Sequence, residues 1–525
     1  MEVAGSARAP GARPTGRYNA AADLLGRHRE RAAKPAYLLG DAALSYGELD
    51  ERARRFASAL LASGVLPEQR VALVLDDGFA FPVAFLGSIL ASAVPVPLNT
   101  MLTAKDLTEL LVDMRASAAV VGAELMATAG PALTAAGVRR FVVDGACSAG
   151  VPFDAFIAGG SPSVEPAPTR ADEPCFWLYS SGSTGIPKGV IHSHGDLLPT
   201  AELYAGPVLG VREDDVLFSA AKLFFAYGLG NALTFPLAVG ATTVLHRGKP
   251  TPEAVGALLT RHRVSIFFGV PTLYGHLLAD ASLPDGDALA LRHCVSAGEA
   301  LPADLARRWG ERTGTEILDG LGSTELTHIF LSNRSGDVRH GTSGIPVPGY
   351  ELRIVDDEGH DVAEGELGEL LVSGPTSALG YWNRRARSQA TFEGRWTRTG
   401  DKYRRDERGS FVFCGRNDDM LKVGGIYVSP FEIESCLVAH EAVLECAVVG
   451  RADEEGLIKP KAFVVCVGDA PDDLQTELVA HAKANLASWK YPRWVEVLDA
   501  LPKTATGKVR RFALRQRDPG ATRDS

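Results

Sequence analysis

Tyr179-Ser-Ser-Gly-Ser-Thr-Gly-Ile-Pro-Lys-Gly189 follows directly on the apolar run Cys175-Phe-Trp-Leu178, and the rest of the chain is read outward from it. Serine and threonine hydroxyls, three glycines and one lysine fall within eleven residues. Glycine lets backbone N–H groups approach oxygen atoms, hydroxyls donate hydrogen bonds, and Lys188 adds a positive charge. That is the make-up of a phosphate-holding loop. The Walker A spacing GxxxxGK[ST] fails at both Lys188 and Lys508, and Tyr227-Gly-Leu-Gly-Asn-Ala-Leu233 lacks the third glycine of a dinucleotide fingerprint. A plain surface loop is the competing reading, and it fits poorly after so apolar a lead-in.

Three further clusters accompany the first. Asp319-Gly-Leu-Gly-Ser-Thr-Glu325 follows the strand-like Thr315-Glu-Ile-Leu318, and its small residues leave room for a planar ligand beside a hard oxygen donor for Mg²⁺ at Glu325. An ordinary helix cap reads the same way. Trp396-Thr-Arg-Thr-Gly-Asp401 offers a carboxylate to a ribose diol, or is a simple turn. Pro502-Lys-Thr-Ala-Thr-Gly-Lys508 lies in a basic stretch that also reads as a solvated face.

Around these clusters, strand-like runs (70–77, 141–144, 265–271) alternate with helical ones (49–64, 253–263) whose apolar residues recur every three or four positions. Such alternation predicts an α/β fold with mainly parallel sheets, and ligands at the carboxyl ends of strands. Beyond Arg404 the chain turns short-stranded and charged, then offers two strand-like runs (444–451 and 461–467) and a helix (477–487). We therefore expect a large N-terminal domain, 18–417, with parallel-rich sheets flanked by helices, and a small C-terminal α+β domain, 418–525.

The 525-residue chain is 46% hydrophobic and 22% charged, which suits large buried cores rather than disorder. A net charge of −10 without a basic stripe argues against nucleic acid as a partner. Seven cysteines, no two within four residues, exclude a CxxC pair and point to a reducing, cytoplasmic compartment. Residues 1–17 are rich in Ala, Gly, Pro and Arg without a secretory apolar core, and read as a disordered tail. Two uncharged windows, 78–104 and 223–245, are long enough for a membrane, but prolines and glycines break them, and buried packing is the better reading.

The four clusters in this order, with Gly415-Arg-Asn-Asp-Asp-Met-Leu-Lys422, resemble the adenylate-forming superfamily of acyl-CoA ligases, adenylation domains and luciferases, from Tyr18 to Phe512. Residues 222–237, 327–333 and 456–465 are most similar to benzoate–CoA and related aryl–CoA ligases. The resemblance implies ATP, Mg²⁺ and coenzyme A. It implies that Ser180, Ser181, Ser183, Thr184, Gly185 and Lys188 hold the β- and γ-phosphates. Ser296, Ala297, Gly298 and Glu299, with Asp319, Gly320 and Leu321, would line the adenine. Thr324 would lie near the α-phosphate and Glu325 on the metal. Asp401 and Arg416 would bind the ribose, Asp418 would be the hinge of a mobile C-terminal α+β domain, and Lys508 would reach the α-phosphate and the substrate carboxylate.

An acyl pocket is expected from Phe225, Ala226, Tyr227, Phe235, His328 and Ile329, although the same aromatic run fits an ordinary core. His192 and His194 stand at a spacing that does not complete a metal site, so packing is expected of them. Arg247 and Lys249 are basic enough for a CoA phosphate, but a solvated loop is the simpler reading. Gly424-Gly425 replaces the Ser-Gly of many relatives at the implied pantetheine tunnel, so a carrier-protein phosphopantetheine stays open as the acceptor beside CoA. A nucleotide-binding regulatory module is the non-enzymatic alternative.

Overall fold

The computed structural model describes residues 9–180, 187–423, 426–487, 489–503 and 509–517. Ser181, Ser183, Thr184, Gly185, Gly424, Gly425 and Lys508, named above as candidates, lie outside the described residues.

Six parallel strands form the centre of the largest sheet, in the order Ile317–Gly322, His293–Ser296, Ile266–Gly269, Val216–Ser219, Thr242–Val244 and Pro35–Leu39. Antiparallel strands Ile329–Ser332 and Ile345–Pro346 extend one edge, and Ala42–Ser45 extends the other. A second, five-stranded sheet is wholly parallel: Val94–Pro97, Arg70–Val74, Ala118–Gly122, Phe141–Asp144 and Val151–Pro152. The expected strands and parallel sheets are therefore present. Helix Tyr46–Ala62 opens on a capping box, with Ser45 and Glu48 satisfying each other's backbone N–H groups, and buries Leu49, Ala53, Phe56 and Leu60.

Both uncharged windows are core. Helix Ala80–Leu90 is buried along its whole length, and Pro82 stands in its first turn, where its missing N–H is not needed, rather than breaking it. Pro95 and Pro97 belong to the strand at the edge of the second sheet, where a missing donor is tolerated. Among the described residues no helix is long and apolar enough to cross a membrane.

Two antiparallel sheets complete the N-terminal part. One pairs Pro174–Ser180 with Lys188–Ser193, and the latter with Gly380–Tyr381. The other is built on Glu351–Val355, Gly368–Ser373, Trp396–Arg405 and Phe411–Arg416. The C-terminal part packs helices Pro430–Val438 and Leu474–Asn485 on a sheet of Val443–Ala452, Ile458–Cys466 and Trp494–Val497. It is the small α+β unit expected.

The stretch expected as a disordered tail is fixed from residue 9 onward. Gly11 N–H donates to Glu202 Oε2 at 2.9 Å, and the Arg13 guanidinium reaches Asp196 Oδ1 at 2.7 Å. The Asp196 side chain is fully buried. A buried carboxylate needs a cation, and here the leading segment supplies it.

Candidate active site

The phosphate-loop motif does not turn from a strand into a helix, as parallel α/β sites usually do. It bridges two antiparallel strands, with Ser180 opposite Lys188. The two ends of the loop are thereby held across one ladder. Burial lowers the Lys188 pKa from its usual value, with Glu325 opposing the shift, and its ammonium stands 4.8 Å from the centre of the Tyr381 ring.

Glu325 lies in the short helical turn Thr324–Leu326, just past strand Ile317–Gly322. Tyr381 Oη donates to its Oε1 at 2.8 Å, and Ser180 Oγ stands 3.5 Å from the same atom. The turn ends at Thr327, whose φ of 67° is unusual for a β-branched residue. Buried hydrogen bonds hold it there. Thr327 Oγ1 donates to His192 Nδ1 at 3.2 Å, while His192 Nε2 donates to the Thr324 carbonyl at 2.8 Å. His192 stacks on Phe176, with ring centres 4.9 Å apart. The packing role expected of His192 is thus a clamp on the Glu325 turn. His194 is buried and accepts from Ala20 N–H at 3.2 Å. Among the described residues no group of three His, Cys, Asp or Glu side chains could hold a metal.

Asp401 and Arg416 face each other across adjacent strands, with Nη1 3.1 Å from Oδ1. Asp401 raises the Arg416 pKa. Asp418 follows in the turn Asn417–Asp419 that leads into the C-terminal part.

Ser180, Lys188, Thr324, Glu325, Tyr381, Asp401, Arg416 and Asp418 border one cavity of about 2130 Å³, whereas His192 and His194 are buried outside its lining. Ala297, Gly298 and Glu299 line it, as do Asp319, Gly320 and Leu321. Burial pushes the Asp319 carboxyl well above the usual carboxylate range. Ser296 is a correction: it is fully buried at a strand end, behind the lining.

Phe225, Ala226, Tyr227, His328 and Ile329 line the same cavity. Their segment folds back sharply, and Gly228 permits it: a Cβ there would sit 2.0 Å from the Lys222 carbonyl oxygen. Leu223 N–H donates to the buried Asp77 at 3.0 Å, which ties the segment to the second sheet. His328 Nε2 faces Asn231 Oδ1 at 3.0 Å and the Tyr227 carbonyl at 3.2 Å, both acceptors, so Nε2 carries the proton. Burial lowers its pKa to about 3. Phe235 is a second correction. It packs edge-on against His328 at 4.5 Å, fully buried, one layer behind the wall. Arg247 and Lys249 are exposed outside the cavity, and Arg247 pairs with Asp144 at 3.3 Å, as a solvated loop would. Tyr381 and Asp77 were not singled out in the sequence, where nothing near them marks a site.

Comparison with known proteins gives the same outline. Residues 26–382 match the AMP-binding enzyme family and residues 432–508 match the AMP-binding enzyme C-terminal domain, so the chain belongs to the AMP-binding enzymes. Within that family it is 54% identical to a benzoate–CoA ligase of Thauera aromatica, across 95% of this chain and 96% of that protein. It is 48% identical to a 4-hydroxybenzoate–CoA/benzoate–CoA ligase of Rhodopseudomonas palustris, across 95% and 94%. Among solved structures, a benzoate CoA ligase from Burkholderia xenovorans superposes with a TM-score of 0.90 at 50% identity, covering 95% of this chain and all of that one.

Proposed function

We propose that the protein joins a benzoate-sized aromatic acid to coenzyme A, splitting ATP to AMP and pyrophosphate. The observation that carries this reading is one cavity with two unlike ends: an aromatic wall at Phe225, Tyr227 and His328, and a polar end at Lys188, Glu325, Asp401 and Arg416. Flat apolar walls suit an aryl ring, and Ala226 leaves it space. The neighbouring charges suit a nucleotide.

The acid's carboxylate attacks the α-phosphorus, and pyrophosphate leaves as the acyl-adenylate forms. The thiol sulfur then attacks the acyl carbonyl, and AMP leaves as the thioester forms. Lys188 and Ser180 hold phosphate oxygens, Thr324 stands near the α-phosphate, and Asp401 and Arg416 orient the ribose. Glu325 fits a Mg²⁺ ion carried with ATP: it is a hard oxygen donor on the cavity, and its hydrogen-bond partners are the neutral hydroxyls of Tyr381 and Ser180. Bound there, the metal would offset negative charge on the phosphates. Lys508, carried over from the family motif, supplies charge where the α-phosphate reacts. Residues 418–525 act as a mobile lid on the 18–417 portion, turning about Asp418 between the two half-reactions.

Seven unpaired thiols support a reducing, cytoplasmic setting. CoA is the acceptor rather than a carrier protein: the net charge of −10 opposes docking of an acidic carrier. The test is acid-dependent exchange of pyrophosphate into ATP, with thioester formation followed separately for CoA and carrier acceptors. Exchange with benzoate that exceeds exchange with acetate and octanoate supports the reading. Equal kcat/KM for octanoate and benzoate overturns the aryl site.

A further inference from the structure

Resting on that reading, we infer that His276 is a positioning residue that holds the C-terminal part in place for the adenylating step. His276 lies on helix Pro271–Ala279 of the large part, whose first residue lines the cavity. Its Nε2–H donates to Glu445 Oε1 at 2.9 Å, across the boundary between the two parts. Glu445 belongs to strand Val443–Ala452, and its Oε1 also receives Lys503 Nζ at 2.7 Å. Lys503 in turn pairs with Val509 in an isolated antiparallel bridge. One carboxylate oxygen therefore joins the body, an edge strand of the small sheet and the terminal segment of the chain.

The Glu445 side chain is only 12% exposed. Burial alone would raise its pKa, yet the hydrogen bonds from His276 and Lys503 hold it below the usual value, so it is a charged acceptor. The His276 imidazole makes no other hydrogen bond among the described residues. Its removal leaves no partner stranded inside the large part, because the contact exists only between the two. A contact made in one arrangement of the parts accelerates only the step that uses that arrangement. In this arrangement Val509 and Arg510 line the same cavity as Glu325.

The experiment compares full-length His276→Ala and His276→Gln with the unaltered protein in the separate half-reactions. Pyrophosphate exchange with benzoate should fall about tenfold in His276→Ala, while thioester formation from supplied benzoyl-AMP and CoA stays within about twofold. His276→Gln should restore most of the exchange, since its amide nitrogen can donate at a similar reach. Equal damage to both half-reactions, no damage to exchange, or no recovery with glutamine overturns the inference. Hydrogen–deuterium exchange on the unliganded chain supplies a readout without turnover: amides around Glu445 should exchange faster in His276→Ala, and unchanged protection there overturns the inference. Absence of acid-dependent exchange in the unaltered protein would instead refute the proposed function.

Discussion

Glu325 owes its position to residues that no local pattern connects to it. The Tyr381 hydroxyl approaches from 56 positions along the chain, and His192 clamps the turn from the other side. Glu325→Gln should lower pyrophosphate exchange by a hundredfold or more, as expected when charge stabilisation at the reacting phosphates is lost. Tyr381→Phe, which removes one hydrogen bond, should cost about tenfold. At the aromatic end, Ala226→Leu should narrow the pocket and reduce kcat/KM for ring-substituted benzoates before benzoate itself, measured as a ratio across a substituent series. Lys188 was expected from the residue types gathered around it, whereas Glu325 and Ala226 were expected through the family resemblance, because a helix cap and an ordinary core read the same way locally. Tyr381 was not, since a lone tyrosine carries no spacing signal. Phe235 was placed one layer too far forward, because an apolar run states that a side chain is buried but not which neighbour buries it, and Ser296 came with its motif, which does not state which side chains face the cavity.

The hairpin of Pro174–Ser180 and Lys188–Ser193 shows what pattern reading misses among elements. A strand followed by a glycine-rich loop looks the same whether a helix or a second strand comes next, and here long-range pairing with Gly380–Tyr381 accompanies the second strand. The parallel strands were easier to find, because burial on both faces writes them as continuous apolar runs. Two elements invite tests. The turn Asn417–Asp419 is closed by Met420 N–H donating to the Arg416 carbonyl at 3.1 Å. Asp418→Pro fixes φ there and restricts Asn417, so adenylation should persist while the thiol step is crippled in separate half-reaction assays. Gly228→Ala drives a methyl group into the Lys222 carbonyl, and should raise KM for benzoate well above that for ATP.

Across the whole molecule, acid should act through buried histidines. His194 is 1% exposed, and burial lowers its pKa to about 4 from an ordinary 6.5. The unfolded chain therefore takes up a proton as pH falls through 6.5 while the folded one does not, and stability is lost down to about pH 4. Asp77 runs the other way: burial raises its carboxyl to about 7, so its unfavourable contribution at neutral pH is relieved as pH falls. His194→Asn keeps an acceptor for Ala20 N–H without the titration. The stability difference between the unaltered protein and this variant should shrink by up to about 3 kcal/mol from pH 6.5 to 4, measured by urea unfolding. Such long-range burial was outside the reach of sequence reading, as was the anchoring of residues 9–17 by Asp196, because both depend on which distant segments close over a side chain.

The near-contact between Gly230 and His328 has an evolutionary consequence. A Cβ at position 230 would lie 2.2 Å from the imidazole, so two stretches almost a hundred residues apart share one packing constraint. Neither can drift alone. A lineage that acquires a bulkier residue at 230 must give up the ring at 328 in the same step or lose the wall between them. New acid preferences should therefore be inherited as paired exchanges, and grafts of the 222–235 segment from distant homologues should succeed only when residue 328 travels with it.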